Sequence, residues 1–185
     1  MANETAIVLA MHGAPPNDFP RPELAEFFAL HARIEQAGPG GLPQTDEWFE
    51  IEDRHRKLDA KVRAWPRTAA NDPFHAGSVA IAQALATTAG MTVVLGFNEF
   101  CAPSIQEALD TAALGARRVI VVTPMLTPGG EHAGSEIPAE IERARVRHRR
   151  TEFLYAWPFE PSDVAEFLAE QAARKNRAAG EGGRR

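Results

Sequence analysis

Apolar residues along the chain fall into two kinds of pattern. Short unbroken runs, "AIVLAM" (Ala6 to Met11), "MTVVLGF" (Met91 to Phe97) and "RVIVVT" (Arg118 to Thr123), carry no polar alternation. Such runs suit strands buried on both faces, as in a parallel sheet. "TEFLYAW" (Thr151 to Trp157) is a fourth strand of the same kind. Between the runs lie segments with helical spacing. "RPELAEFFALHARIEQ" puts Leu24, Phe27, His31 and Ile34 on one face, and "DEWFEIEDRHRKLDAKVRAW" aligns Trp48, Ile51, His55, Leu58, Val62 and Trp65. "GSVAIAQALATTAG" reads as a helix from Ser78 to Gly90. "PSIQEALDTAALGA" has Ser104 and Glu107 spaced as a capping box and stops at Gly115. "SEIPAEIERARVRHRR" starts near Ser135 and turns basic toward its end, as the helix dipole favours. "PSDVAEFLAEQAARKN" is the last helix.

The order predicted is strand, three helices, then three further strands each followed by a helix. This is an α/β fold: an open parallel four-stranded sheet flanked by helices, of flavodoxin-like, half-domain size. One domain is expected over residues 1–175, with a helical insertion at about 36–71 and a disordered tail at 176–185. A length of 185 residues suits one domain with a substantial core.

Composition narrows the classes. Hydrophobic residues make up 44% and charged residues 24%, the balance of a soluble globular protein. No run of ~18 apolar residues suggests a membrane span, and the N-terminus lacks the pattern of a signal peptide. Cys101 is the sole cysteine, so no disulfide framework exists and a cytoplasmic location is expected. A formal net charge of -5 argues against a nucleic-acid partner.

Candidate chemistry sits where a parallel sheet puts ligands, just beyond the carboxyl ends of its strands. His12 follows the first strand, Glu99 the second and His132 the third. Two imidazoles and a carboxylate on one edge make an open shell for a divalent transition metal. The same groups can take protons near neutral pH. His31 and His55 fall on apolar stripes, the position of packing histidines rather than ligands. His148, in "RVRHRR", reads as solvated. His75 precedes the Ser78 helix start and is a possible auxiliary residue. Cys101 reads as a small buried residue. No G-x-G-x-x-G, P-loop or G-x-S-x-G pattern occurs, so nucleotide binding and serine hydrolysis have no support.

The stretch "GFNEFCAPSIQEALDTAALGARRVIVVTPMLTPGGEHAGSEIP" resembles the CbiX/SirB-type sirohydrochlorin chelatases. The likeness rests on an F-x-E at Phe97 to Glu99 and a P-S-x-x-x-A-L at Pro103 to Leu109. The turn into an apolar strand (Gly115 to Val122), His132 and "EIP" at Glu136 to Pro138 follow. The opening "AIVLAMHGAP" is similar to that family's first strand and also to the start of protoporphyrin ferrochelatases. The likeness covers Ala6 to Gly13 and Val93 to Pro138, and weakens toward Glu170. It implies a chelatase of the lyase class that inserts a divalent metal into a tetrapyrrole in cobalamin or siroheme synthesis. His12, Glu99 and His132 match the family's metal and catalytic positions. No cofactor is implied beyond the substrate ion, Co²⁺, Fe²⁺ or Ni²⁺. The resemblance leaves open sirohydrochlorin, a related corrinoid precursor or a porphyrin as the macrocycle. It also leaves open a non-catalytic tetrapyrrole- or metal-binding homologue. The chain departs from the family pattern at Ala14, Pro15 and Pro16, where Ser-Arg is usual, at Glu136, where Asp is usual, and in its insertion. It carries one half-domain, which implies a homodimer. Arg21 and Arg54 are candidates for substrate carboxylates, and Phe19, Phe97 and Phe100 for packing on the macrocycle, though core packing suits Phe97 better.

Overall fold

The computed structural model describes residues 4–37 and 45–182. Four strands, β1 (Thr5–Met11), β2 (Thr92–Phe97), β3 (Arg118–Val122) and β4 (Glu152–Tyr155), form one sheet in the order β2-β1-β3-β4. Every pairing is parallel. The described residues also form six α-helices: α1 (Arg21–Ala37), α2 (Asp46–Arg63), α3 (Pro73–Ala89), α4 (Ile105–Gly115), α5 (Ile137–Arg147) and α6 (Pro161–Gly182). The architecture is the α/β parallel sheet that the apolar runs predict.

The unbroken run in β1 has the meaning assigned to it. Residues alternate between faces along a strand, and both faces of β1 are covered. Ala6, Val8 and Ala10 pack with Ile105, Ala108, Leu109 and Ala112 of α4 and with Ile137, Ile141 and Ala144 of α5. Leu9 and Met11 face the other way, onto Phe27 of α1 and Leu58 and Val62 of α2. Helix α4 lies very close to β2 at Gly96, where a Cβ would stand 2.7 Å from the Ala108 Cβ.

Three boundaries differ from the sequence reading. Helix α3 begins at Pro73, five residues before Ser78. Asp72 caps it by accepting from the His75 backbone N–H (2.8 Å), and Pro73 suits a first-turn position. Ser78 instead donates back to the Phe74 carbonyl inside the helix. Helix α6 continues to Gly182, past residue 176, where the sequence reading begins a disordered tail. Residues 183–185 of that expectation lie outside the described residues. The insertion at 36–71 begins inside α1, which runs to Ala37, and most of its remainder is α2. Its segment 38–44 lies outside the described residues. No described helix is long and apolar enough to cross a membrane.

A buried guanidinium ties the loops together. Arg67 donates to the carbonyls of Ala14 (2.8 Å), Val62 (2.9 Å) and Phe100 (2.5 Å), and it ion-pairs with Asp72. One side chain therefore joins the loops after β1 and β2 to the end of α2 and the start of α3. Asp72 is 2% exposed. Replacing Asp72 with Ala leaves that guanidinium buried without its counter-charge and should destabilise the fold by about 3–5 kcal/mol. Urea unfolding followed by tryptophan fluorescence measures it; a change below ~1 kcal/mol would show the pair to be worth no more than an exposed one.

Candidate metal centre

The site is assembled at the carboxyl edge of β1, β2 and β3. His12 is the first residue after β1. The β1–β2 register pairs Met11 with Phe97, and hydrogen bonding continues past both strands: Asn98 N–H donates to the Met11 carbonyl and Glu99 N–H to the His12 carbonyl, each at 2.8 Å. The same ladder thus sets Glu99 beside His12. Gly13 permits this close approach. Its φ is +104°, and a Cβ there would lie 1.9 Å from the Glu99 carbonyl oxygen.

His132 arrives from the long loop after β3. It opens a π-helical turn, His132–Glu136, that leads directly into α5. Tyr155 donates to the Ala133 carbonyl (2.9 Å) and Trp157 to the Met125 carbonyl (3.2 Å), bracing this loop from β4 and the segment after it. Burial pushes the Tyr155 hydroxyl up to about 12, so it stays a donor.

His12, Glu99 and His132 each bring one donor atom to within 4.8 Å of the others. The imidazoles meet edge to face, with ring centroids 4.5 Å apart. His12 Nδ1 donates to the Gly13 carbonyl (2.7 Å), which leaves Nε2 with its lone pair, 3.8 Å from Glu99 Oε2. On His132 the proton is placed by Glu136, whose Oε2 lies 2.8 Å from Nδ1. Asn98 donates to the same carboxylate oxygen. Burial opposes ionisation of Glu136, but the bonds from Asn98 and His132 outweigh it and hold its pKa below the usual carboxylate value. Asn98 Nδ2 also lies 2.7 Å from His132 Nδ1; an ionised Glu136, which can only accept, favours the Nδ1–H tautomer, and in that tautomer Nε2 carries the lone pair. Outer carboxylates orient metal-binding imidazoles through this same contact.

The structure therefore brings together all three residues predicted from the strand ends. Side-chain exposures of 41% for His12, 25% for Glu99 and 26% for His132 leave the cluster open to solvent on one side. Neutral imidazoles with a carboxylate suit a borderline divalent ion such as Co²⁺, Fe²⁺ or Ni²⁺. Two residues were not singled out as site members, Asn98 and the supporting carboxylate Glu136. Asn98 had one legible signal: it immediately precedes Glu99 at the same strand end.

Other candidate residues are engaged in packing or ion pairs. His75 stacks on Phe97 (5.3 Å between centroids) and serves packing. Phe19, Phe97 and Phe100 are 3%, 0% and 5% exposed, so none offers a face to a macrocycle. Arg54 is engaged by both Glu26 oxygens. His148 is paired with Asp110 (2.7 Å) rather than solvated. Cys101 is buried, as expected, and burial raises its thiol pKa.

The CbiX family model matches residues 72–175, more than half of the chain. The chain belongs to the CbiX family. The matched stretch contains Glu99 and His132; His12 lies before it and joins them through the β1–β2 ladder. A sirohydrochlorin cobaltochelatase of Priestia megaterium is 37% identical over 71 residues. That match takes in 38% of this CbiX-family chain and 23% of the relative, so the chain spans under a quarter of it. Two solved structures are also similar. One is the sirohydrochlorin chelatase SirB from Bacillus subtilis subspecies spizizenii in complex with cobalt: 17% identity, TM-score 0.40, over 84% of this chain and 44% of that one. The other is a putative cobalamin (vitamin B12) biosynthesis CbiX protein from Marinobacter aquaeolei VT8: 14% identity, TM-score 0.43, over 95% and 98%.

Outer carboxylates of this kind change metal affinity by about 10–100-fold. Glu136→Gln should therefore weaken Co²⁺ binding at the centre by that factor, read by competition with a chromophoric chelator. Unchanged affinity would remove Glu136 from the metal centre.

Proposed function

We propose that this chain is a chelatase that inserts a divalent ion, Co²⁺ or Fe²⁺, into a tetrapyrrole of the sirohydrochlorin type, as a step toward a cobalt or iron tetrapyrrole. The observation that carries the reading is the convergence of His12, Glu99 and His132 on one open edge of the sheet. Membership of the CbiX family and the cobaltochelatase relative support the substrate class.

The reaction exchanges two macrocycle N–H protons for one M²⁺, so the site must both deliver an ion and remove protons. His12 Nε2, His132 Nε2 and a Glu99 oxygen replace water around the incoming ion. Three protein donors leave positions for water and for pyrrole nitrogens. As the ion moves to the macrocycle, the vacated donors become available to the two protons, one at a time. Imidazole is suited to that exchange near neutral pH. Glu136 balances charge on His132 when it carries a proton. The open side of the cluster gives a flat macrocycle access to the edge.

A homodimer is part of this proposal. Helix α6 exposes Phe167 (52%) and Leu168 (55%), large apolar residues of the kind that a second subunit covers. A cytoplasmic location accords with a single buried cysteine and with the lack of a spanning helix among the described residues.

The direct test mixes purified protein, sirohydrochlorin and Co²⁺ or Fe²⁺ without oxygen and follows macrocycle absorbance. Metallation should exceed the uncatalysed rate. His132→Ala should reduce it by about 10²–10⁴-fold, the usual contribution of a positioned proton acceptor. A rate equal to background with both ions and with a porphyrin would refute the enzyme reading. Tight macrocycle binding without turnover would instead identify a tetrapyrrole-binding homologue.

A further inference from the structure

A second pair of histidines lies outside the centre, where sequence spacing marked both as packing residues. His31 on α1 and His55 on α2 turn ring nitrogens toward each other, Nδ1 to Nε2, at 3.3 Å. Three ion pairs cross between these antiparallel helices, Glu23–Lys61, Glu26–Arg54 and Arg33–Glu47, and fix the register that places the rings opposite. Both rings also stack on Phe27, at 5.8 and 4.7 Å.

The spacing has a chemical meaning. Two imidazole nitrogens bound at about 2.0–2.1 Å to one ion, at angles between square and tetrahedral, stand about 2.9–3.4 Å apart. The observed 3.3 Å is a hydrogen-bond length that also falls in that interval, so an ion can replace the bridging proton without changing the spacing of the two atoms. Glu35 supplies the outer carboxylate: its Oε1 lies 3.2 Å from His31 Nε2. A proton held on Nε2 by Glu35 leaves Nδ1, the nitrogen facing His55, as the donor atom. With His31 protonated on Nε2, His55 Nε2–H is the donor of the 3.3 Å contact, and a bound ion takes the place of that proton, which leaves to water.

We propose that His31 and His55 form a second divalent-metal site, completed by water, on the rim of the chelation centre. Its class of ion is borderline and imidazole-seeking, such as Co²⁺, Ni²⁺ or Zn²⁺, not Mg²⁺ or Ca²⁺. Two protein donors hold such an ion loosely, as a loading station requires. The pair lies on the side of the centre. Phe27, on which both rings stack, contacts Phe100, the residue after Glu99 (5.6 Å). Metal binding by the pair stands on its own geometry, whereas its role in loading rests on the chelatase reading.

The experiment is an anaerobic titration of the metal-free full chain with Co²⁺ at pH 7.5, read by equilibrium dialysis and by visible absorption. The wild type should bind two ions per chain. The double variant His31→Gln/His55→Gln should bind one, with circular dichroism unchanged. His12→Ala/His132→Ala should also bind one, and the fourfold variant none. Glu35→Gln should weaken the second ion alone. A His31→Gln/His55→Gln protein that still binds two ions overturns the site. So does a wild type whose single ion disappears with His12→Ala/His132→Ala. For loading, the same double variant should raise the apparent KM for Co²⁺ at unchanged kcat; an unchanged KM overturns that role. Absence of turnover in the wild type would refute the chelatase reading and leave the two-ion stoichiometry to be judged separately.

Discussion

The site depends on one backbone contact: the Glu99 N–H donates to the His12 carbonyl at 2.8 Å. It prolongs the parallel β1–β2 ladder past both strands, so an imidazole and a carboxylate far apart in sequence emerge side by side. Gly13 makes it possible. At φ +104° and with a Cβ position 1.9 Å from the Glu99 oxygen, no residue with a side chain fits without moving the second loop. A parallel sheet therefore supplies part of the centre through register alone. The third member needs more chain, because nine residues separate the end of β3 from His132, which opens its turn.

That third member is held by a different device. A π-helical turn carries His132 and Glu136 on one side, and Glu136 reaches back to Nδ1. Unusual helical turns of this kind concentrate at functional positions. Asn98 connects the turn to the β2 loop, so the two halves of the centre share a hydrogen-bonded carboxylate. Arg67 does the corresponding work underneath, bonding the Ala14 and Phe100 carbonyls. The three side chains are thereby held together by the protein's own hydrogen bonds, and preorganised donors avoid the reordering cost of assembling a site around a ligand.

Much of this was legible in the chain. Runs such as "AIVLAM" and "RVIVV" lack polar alternation because helices cover both faces, and that pattern identified a parallel sheet. From the sheet followed the edge, and from the edge followed His12, Glu99 and His132. The supporting contacts were not legible. His132 and Glu136 are four residues apart, but their pairing requires the helical turn that a Gly-rich loop hides. His31 and His55 come from two helices whose register is set by ion pairs, which periodicity within either helix does not reveal. The start of α3 was misplaced because Ser78 resembles a cap, whereas Asp72 performs that role beside Arg67.

The central claim is that the ends of three parallel strands build one ion-binding centre. A crystal structure of the Co²⁺-soaked protein, with anomalous data collected on both sides of the cobalt edge, tests it most directly. The account predicts a cobalt peak bonded to His12 Nε2, His132 Nε2 and a Glu99 oxygen, each at about 2.0–2.2 Å, by analogy with first-row ions in mixed sites. Cobalt bound elsewhere in the molecule, with no density among these three side chains, would contradict it.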